Sequence, residues 1–252
     1  MTQSFTREPV SVCMATYNGE KFLKAQIESI LVQFECKDEL VIVDDSSTDA
    51  TQEIILSFQD SRIILHVNIE NIGPIGTFER CLNRSKYDVI FFADQDDIWE
   101  NHRLNLLRDE LLGADVDLVC SNMTLIDETS AKLNYLRLPP LVPKGSKQPI
   151  KNLIKVFRGR MGYFGCTMVF RRDFLKVVLP LPRHIESHDL WFAVCANILM
   201  SIRHLEAITL KHRIHGNNAS IIRRSIFKKI FARVLLLQQV IIAVMRINGS
   251  SR

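Results

Sequence analysis

The stretch VIFFADQDDIW, residues 89–99, joins a continuous apolar run to a cluster of carboxylates. Short apolar runs of this kind are typical of buried strands. Asp94, Asp96 and Asp97 follow directly. Because carboxylates crowded at the end of a strand repel one another, a cation or strong hydrogen-bond donors must lie beside them. Oxygen ligands suit Mg²⁺ or Mn²⁺, and these ions suit a diphosphate. The stretch therefore predicts a metal and a phosphate-bearing ligand at the carboxyl end of a strand.

Apolar runs alternate with helix-like segments on both sides of this stretch. Strands are predicted at residues 10–15, 40–43, 62–67, 88–93, 118–123 and 167–170, and helices at residues 20–34, 49–58, 75–84, 101–112 and 190–200. This alternation predicts an α/β fold, with a mixed and mostly parallel sheet flanked by helices. Residues 138–149 contain four prolines and predict a loop.

Polar segments follow three of the predicted strands: TYNG at residues 16–19, DDSS at 44–47 and DQDD at 94–97. Ligands of parallel sheets bind beyond the carboxyl ends of the strands, so we expect the three segments to form one site. The second segment also suits a turn followed by a helix cap. We expect both uses, with Asp45 facing the ligand and Asp49 at the cap.

The composition is that of an ordinary globular protein, with 252 residues, 47% hydrophobic and 24% charged. A net charge of +4 is too weak to indicate a nucleic-acid partner. Six cysteines are scattered without a C-x-x-C pair, and Cys13, Cys120 and Cys166 lie in strand-like surroundings. They predict buried free thiols and a cytoplasmic setting. The polar first nine residues predict no signal peptide.

The last part of the chain differs from the rest. We predict a catalytic domain over residues 1–220 and a helical tail over residues 221–252, where Arg223, Arg224, Lys228, Lys229 and Arg233 precede an apolar run. That run, residues 234–245, is short for a membrane span. Two interpretations remain open: a basic amphipathic helix on an anionic membrane surface, or a helix packed on the domain or on a neighbouring subunit.

Four motifs, in this order, resemble the family 2 glycosyltransferases: residues 9–19, 39–49, 71–73 and 94–99. The last has the form common among bacterial rhamnosyltransferase-like members. The resemblance covers about residues 8–220. It implies a GT-A fold, a nucleotide-diphospho-sugar donor, Mg²⁺ or Mn²⁺, and transfer with inversion at the anomeric carbon.

The resemblance also implies roles for individual residues. Thr16 and Asp45 would contact the nucleobase, in a pocket shared with Ala15, Tyr17 and Gln95, and Asp94 would meet the ribose. Asp96 would hold the metal against the diphosphate, with His215 as a further ligand. Asp97 would support this site from behind.

The segment HDLW, residues 188–191, resembles the acidic motif of the family. By that resemblance Asp189 is the base that takes the proton of the acceptor hydroxyl. From the residues alone, Asp189 would instead cap the helix that follows it. Glu186 is the nearest competitor for the base. His188 would orient Asp189 or the acceptor, or lie on the surface.

Three further residues are assigned to the donor and acceptor pocket. Arg213 belongs to a segment that resembles the family loop over the diphosphate, where it would neutralise phosphate oxygens. Lys211 and His212 precede it, where the family often has an aromatic residue. Gly165 precedes the sixth strand and permits a close approach of backbone to ligand. Trp99 either packs the turn after its strand or forms part of the acceptor floor.

These observations predict a soluble enzyme that adds one or a few sugars, because the Q-x-x-R-W motif of processive synthases is absent. The expected donor is dTDP-rhamnose or a UDP-hexose, and the expected acceptor is a saccharide or a lipid-linked saccharide in bacterial surface polysaccharide synthesis. One alternative is a non-catalytic sugar-nucleotide-binding or assembly subunit. A nucleotidyltransferase would need a glycine-rich loop after the first strand, which residues 16–19 do not provide.

Overall fold

A mixed sheet forms the centre of the computed structural model, which describes residues 7–134, 138–216 and 226–250. The strands are β1 Val10–Thr16, β2 Glu39–Asp44, β3 Ile63–Val67, β4 Val89–Ala93, β5 Ile98–Trp99, β6 Leu118–Ile126, β7 Lys132–Leu133, β8 Met168–Arg171 and β9 Ile202–Arg213. Their order in the sheet is β3-β2-β1-β4-β8-β6-β9-β5, and β7 pairs with β6.

Helices cover both faces of this sheet. They are α1 Leu23–Leu31, α2 Thr51–Ser57, α3 Gly73–Arg84, α4 Arg103–Gly113, α5 Pro149–Phe157, α6 Leu175–Val178, α7 His188–Ile198 and α8 Ile226–Ser250. One core cluster contains side chains of α1, α2 and α4, and the other contains side chains of α3, α5, α6, α7 and α8. We call the two sides the α1 face and the α7 face.

The parallel part of the sheet sets the position of the site. β1 pairs in parallel with β2 and β4, so that Thr16 lies beside Asp44, and Met14 beside Ala93. The carboxyl ends of these three strands therefore meet at one edge, as the alternation of strands and helices predicts. The mixed, mostly parallel sheet between helices is confirmed.

Strand β9 and helix α5 are the largest departures from the predicted elements. β9 contains six residues with charged or imidazole side chains and pairs with β6 through an irregular register, so its sequence lacks the clean alternation of a half-buried strand. α5 follows directly on a loop rich in proline. Its Pro149 is at the start of the helix, where the missing N–H costs nothing.

Predicted boundaries differ from the observed ones by a few residues. The helix predicted at residues 20–34 begins only at Leu23, because the amides of Phe22 and Leu23 both donate to Gly19 O. The helix predicted at 190–200 begins earlier, at His188, so that Asp189 lies in its first turn. Cys13, Cys120 and Cys166 are buried free thiols, as predicted, whereas Cys36 is exposed.

Helix α8 packs on the domain, in agreement with one of the two interpretations of the tail. Leu236 and Ala243 are buried in the core of the α7 face. The Arg246 guanidinium donates to Val178 O at 3.0 Å and to Pro180 O at 2.7 Å. By length and composition Ile230–Gly249 could cross a membrane, which is weak evidence on its own, and 17% of its most apolar window is buried. Arg223 and Arg224 lie outside the described residues.

Candidate active site

A cavity of about 2160 Å³ opens at the carboxyl ends of β1, β2 and β4. Most of the predicted site residues line it: Ala15, Thr16, Tyr17, Asp45, Asp94, Gln95, Asp96, Gly165, Asp189 and His215. The fold therefore brings together residues from six separate parts of the chain. Trp99, His188 and Arg213 are not among the lining residues.

Asp44 and Asp45 hold the loops at the nucleotide end of the cavity. The Thr16 hydroxyl donates to Asp44 Oδ2 at 2.9 Å, and the Gln52 amide donates to Asp44 Oδ1 at 2.8 Å. Asp45 accepts from the Asn68 side chain at 2.7 Å and from two backbone amides at the start of α3, those of Ile72 and Gly73. Since a carboxylate offers about four acceptor positions, Asp45 keeps about one for a ligand.

Gln95 holds the backbone of the first polar segment. Its Oε1 accepts from Tyr17 N at 2.9 Å, and its Nε2 donates to Tyr17 O at 3.1 Å. Gly19 makes room for this amide, because a Cβ at Gly19 would lie 2.4 Å from Gln95 Oε1. Gln95 therefore fixes the loop that the predicted nucleobase pocket uses.

Replacing Gly19 by alanine should release Gln95 from Tyr17 and weaken nucleotide binding. Since the two hydrogen bonds contribute about 1 kcal/mol each, we expect affinity for the nucleoside diphosphate to fall by up to about 30-fold in titration calorimetry. Gln95→Ala should give a similar loss, and the double variant should be no worse than either single variant. Gly113→Ala is the matched control, since a Cβ there meets nothing within 4 Å. Additive losses in the double variant would contradict the coupling.

The Asp96 carboxylate faces the His215 imidazole, with Oδ2 2.7 Å from Nε2. The antiparallel pairing of β5 with β9 places residues 96 and 97 beside residues 212–215. Burial and the neighbouring Asp97 raise the pKa of Asp96, and the bond to His215 opposes this. Burial and the same crowding raise the pKa of Asp94 to about 8. A cation at this position would relieve both effects.

His212, which the sequence analysis did not assign to the site, provides a built-in cation behind this pair. Its Nδ1 lies 2.8 Å from Asp97 Oδ1, which also accepts from Arg213 N at 3.1 Å. Although burial opposes its protonation, Asp97, with help from Asp94 and Asp96, raises the pKa of His212 to about 9. Asp97 and His212 are far apart in the sequence, and no local motif links them. Only the pairing of β5 with β9 reveals their contact.

Two sets of side chains here could hold a metal. Ligand atoms of Asp94, Asp97, Cys166 and His212 all lie within 4.8 Å of one another. In that set, burial raises the pKa of the Cys166 thiol, and His212 Nδ1 is already engaged by Asp97. A protonated thiol is a poor ligand, and neither Asp97 nor Cys166 lines the cavity. Asp96 and His215 both line it, and their oxygen and imidazole donors fit Mg²⁺ or Mn²⁺ better.

Replacing His212 by glutamine should destabilise the fold and flatten its pH dependence. The folded pKa of about 9 exceeds the usual 6.5, so the imidazolium stabilises the fold fully below about pH 6.5 and loses this effect as the pH rises through 9. His212→Gln leaves Asp97 buried without its cation, at a cost of about 3 kcal/mol. Urea unfolding between pH 6 and 10 measures both effects. Exposed His184, changed to glutamine, is the control. A variant with the wild-type pH profile would contradict the ion pair.

Asp189 also lines the cavity, from the first turn of α7. Its Oδ2 accepts from Gly165 N at 3.1 Å, and its Oδ1 accepts from Leu190 N at 2.7 Å. These two backbone donors fix the orientation of the carboxylate, and the helix N-terminus favours its negative charge. Glu186 also lines the cavity, so the structure keeps it as a competitor for the base.

Two of the predicted pocket assignments are wrong because the side chains are in the core. Trp99 is 3% exposed, with its ring 5.5 Å from that of Phe91 and under the Arg103 guanidinium. Trp99 therefore packs the turn, which was the other prediction for it. The His188 ring packs against the rings of Phe78 and Phe92, at centroid distances of 4.1 and 4.9 Å. It is buried and does not line the cavity.

The predicted contact of Arg213 with phosphate is also not what the structure shows. Its side chain is buried, and its Nε donates to Asp96 O at 3.0 Å. Its Nη1 donates to Asp127 O at 2.9 Å, and the guanidinium stacks 4.5 Å from the Phe22 ring centre. Arg213 thus ties the acidic run to a neighbouring loop. Its role is to position Asp96 and not to line the cavity.

A mixed, mostly parallel sheet with an acid–imidazole pair at its carboxyl edge, and an aspartate at a helix N-terminus lining the same cavity, is typical of the GT-A class of transferases. Residues 11–179 match the family described as Glycosyl transferase family 2, and the chain therefore belongs to that family. It is a glycosyltransferase enzyme.

Relatives and solved structures agree with this assignment. An uncharacterized glycosyltransferase of Nostoc sp. is 27% identical over 83% of this chain and 66% of its own length. The UDP-Glc:alpha-D-GlcNAc-diphosphoundecaprenol beta-1,3-glucosyltransferase WfgD of Escherichia coli is 28% identical over 84% of this chain and 79% of its own. The crystal structure of S. aureus TarS 1-349 with UDP-GlcNAc matches with a TM-score of 0.70 at 20% identity, over 92% of this chain and 66% of that one. The chain thus spans about two thirds of the first of these relatives and of TarS 1-349.

Proposed function

We propose that this chain is a metal-dependent, inverting glycosyltransferase of bacterial surface polysaccharide synthesis. It moves a sugar from a nucleotide-diphospho-sugar, dTDP-rhamnose or a UDP-hexose, to a saccharide acceptor. The observation that carries the proposal is the shared cavity, in which the Asp96–His215 pair and the Asp189 carboxylate face the same space. One side suits a diphosphate with its cation, and the other suits a hydroxyl that must lose a proton.

Donor binding uses the carboxyl edge of the sheet. Ala15, Thr16, Tyr17 and Asp45 surround the base, Gln95 holds their loop, and Asp94 meets the ribose. Asp96 and His215 would hold the Mg²⁺ or Mn²⁺, which as a Lewis acid would stabilise negative charge on the departing diphosphate. Asp97, His212 and Arg213 keep Asp96 in place from behind. Binding the nucleotide half in this way positions the sugar for attack.

Asp189 acts on the acceptor. The acceptor hydroxyl oxygen forms a bond to the anomeric carbon while the bond from that carbon to the diphosphate oxygen breaks. The hydroxyl proton passes to Asp189, and the nucleoside diphosphate leaves with the electron pair. Because attack comes from the face opposite the leaving group, the configuration inverts. The Gly165 and Leu190 amides hold the carboxylate in place throughout.

The acceptor class is inferred from a named relative. WfgD is named for a UDP-Glc donor and a diphosphoundecaprenol-linked GlcNAc acceptor. We extend this chemical class, a lipid-linked saccharide, to the acceptor of our chain, and we place the reaction at the cytoplasmic side of the membrane. Residues 1–220 would form the catalytic domain, and residues 221–252 a helical tail.

A panel of sugar nucleotides tests the proposal. Incubation of the full chain with Mn²⁺ and each donor should release nucleoside diphosphate from one donor, or from one nucleotide class, well above the buffer rate. The non-catalytic alternative predicts binding without release. Binding of one donor in calorimetry, with no release from any donor and no transfer to saccharide acceptors, would therefore favour the assembly subunit and overturn the enzyme.

A further inference from the structure

Helix α5 leaves an apolar stripe in solvent. Ile150, Ile154 and Phe157 are 73%, 44% and 39% exposed. Their spacing of i, i+4 and i+7 places them on one face of the helix. Leu153 and Val156, on another side, pack against the core of the α7 face. The exposed apolar side chains are therefore not the ones that pack α5 on the domain.

Helix α8 repeats this pattern over a longer distance. Exposed apolar side chains recur at i, i+4, i+7, i+11 and i+14, namely Ile230, Val234, Leu237, Ile241 and Val244. Leu236 and Ala243 lie on the opposite side and are buried in the same core as the inner side of α5. Both helices thus turn their buried sides toward one core and their apolar stripes away from it.

The two helices adjoin at the cavity. α7 packs against both of them. Val156 and Phe157 of α5 line the cavity together with Ala232 and Leu236 of α8. At the end of α5, a Cβ on Gly159 would lie 3.6 Å from Arg233 Nη2. We call the outward surface of α5 and α8 the basic–apolar face, and it borders the space that Asp189 faces.

Positive charge is concentrated in the two segments of the chain that contain α5 and α8. Residues 143–160 and 221–252 contain 13 of the 32 Lys and Arg residues and none of the 28 Asp and Glu residues, so the rest of the chain is net negative. The six in the first segment are exposed: Lys144, Lys147, Lys151, Lys155, Arg158 and Arg160. Helical geometry places Lys151, Lys155 and Arg158 along one flank of the apolar stripe.

We propose that the basic–apolar face docks on an anionic phospholipid bilayer, with α5 and α8 lying in the interface. Apolar side chains enter the headgroup boundary, and flanking lysines and arginines attract acidic lipids. A second copy of the chain fits this face poorly, because a symmetric contact would bring the two sets of positive charges together. Docking would place the cavity beside the headgroups, where a lipid-linked acceptor presents its sugar. That consequence rests on the proposed function, whereas the docking does not.

Co-sedimentation of the full chain with vesicles tests the charge component. Vesicles of phosphatidylcholine with phosphatidylglycerol should bind the protein, and vesicles of phosphatidylcholine alone should bind it far more weakly. Each basic residue near an anionic surface contributes about fivefold to partitioning, so Lys151→Glu/Lys155→Glu should lower it at least about 30-fold. Lys24→Glu/Lys37→Glu makes the same change in charge at two exposed lysines, with Lys24 on α1 of the opposite face, and should stay within about twofold.

A second pair of variants tests the apolar component. Ile150→Ser/Ile154→Ser removes two exposed side chains of α5 that do not line the cavity, and partitioning should fall about tenfold or more. Val32→Ser/Leu56→Ser is the matched control, because these side chains are 76% and 65% exposed and lie near α1 and α2. Its partitioning should remain that of the wild type.

Three results would overturn the docking proposal. They are equal binding to neutral and anionic vesicles, equal losses in the test and control variants, and a dimer in analytical ultracentrifugation that Ile150→Ser/Ile154→Ser dissociates. Donor hydrolysis without vesicles separates this proposal from the proposed function. All four variants should hydrolyse donor at the wild-type rate. If the wild type bound anionic vesicles but hydrolysed no donor, the proposed enzymatic function would be wrong and the docking proposal would still hold.

Discussion

Asp189→Asn should abolish sugar transfer and leave nucleotide binding intact. The asparagine keeps the shape of the side chain, but it cannot take the proton of the acceptor hydroxyl. General-base catalysis contributes about 10²- to 10⁴-fold, so we expect kcat to fall by at least about 100-fold. Calorimetric affinity for the nucleoside diphosphate should stay within about twofold, because Asp189 is assigned to the acceptor and not to the nucleotide or its metal.

The fold of this variant needs its own measurement. Gly165 N and Leu190 N each donate to a different oxygen of Asp189, and asparagine offers only one oxygen. One amide then loses its acceptor, at a cost of about 1 kcal/mol, which thermal unfolding will report. Glu186→Gln is the informative companion, since Glu186 lines the same cavity. If Glu186→Gln lost transfer and Asp189→Asn kept it, the base would be Glu186.

Asp96→Asn should bind nucleotide more weakly than the wild type with Mn²⁺ and more tightly than the wild type without metal. With Mn²⁺ present, loss of a metal ligand should weaken UDP binding at least about tenfold. Without metal, the wild-type carboxylate repels the diphosphate, so the variant should bind UDP more tightly than the wild type does. This crossover is specific to a carboxylate that binds a metal against a diphosphate, because simple damage to the pocket would weaken binding in both conditions.

Asp88→Asn is the matched control for Asp96→Asn. Asp88 directly precedes the same strand, and its side chain is 88% exposed. Its affinity for UDP should follow the wild type with and without Mn²⁺. Calorimetric titrations of the three proteins in Mn²⁺ and in EDTA give the comparison. Equal weakening of the Asp96→Asn variant under both conditions would remove Asp96 from the metal site.

The edge of the sheet was predictable because it depends on a regular pattern. Apolar runs alternate with helical segments, parallel strands place their carboxyl ends together, and the polar segments after β1, β2 and β4 must then meet. Asp45, Asp94 and Asp96 follow from this rule without any knowledge of side-chain packing. Asp189 does not follow from it, and only the resemblance to the family indicated its place in the cavity.

The residues that the sequence misplaced are those whose direction is set by packing. Trp99 and His188 have polar atoms and suit a ligand pocket, yet aromatic neighbours hold both in the core. His212 and Arg213 reach Asp97 and Asp96 through the pairing of β5 with β9, and neither of these strands has a readable period. Helix α5 was missed for a different reason, since the four prolines of residues 138–149, the last of them at its start, indicated a loop.

The anomeric configuration of the first product tests the central claim most directly. With the donor that the panel identifies, ¹H NMR at early times should show the anomer opposite to that of the donor sugar, for transfer to saccharide or to water. This result follows from one base, Asp189, on the face opposite the leaving diphosphate. Retention of the donor configuration in the first-formed product would contradict the account.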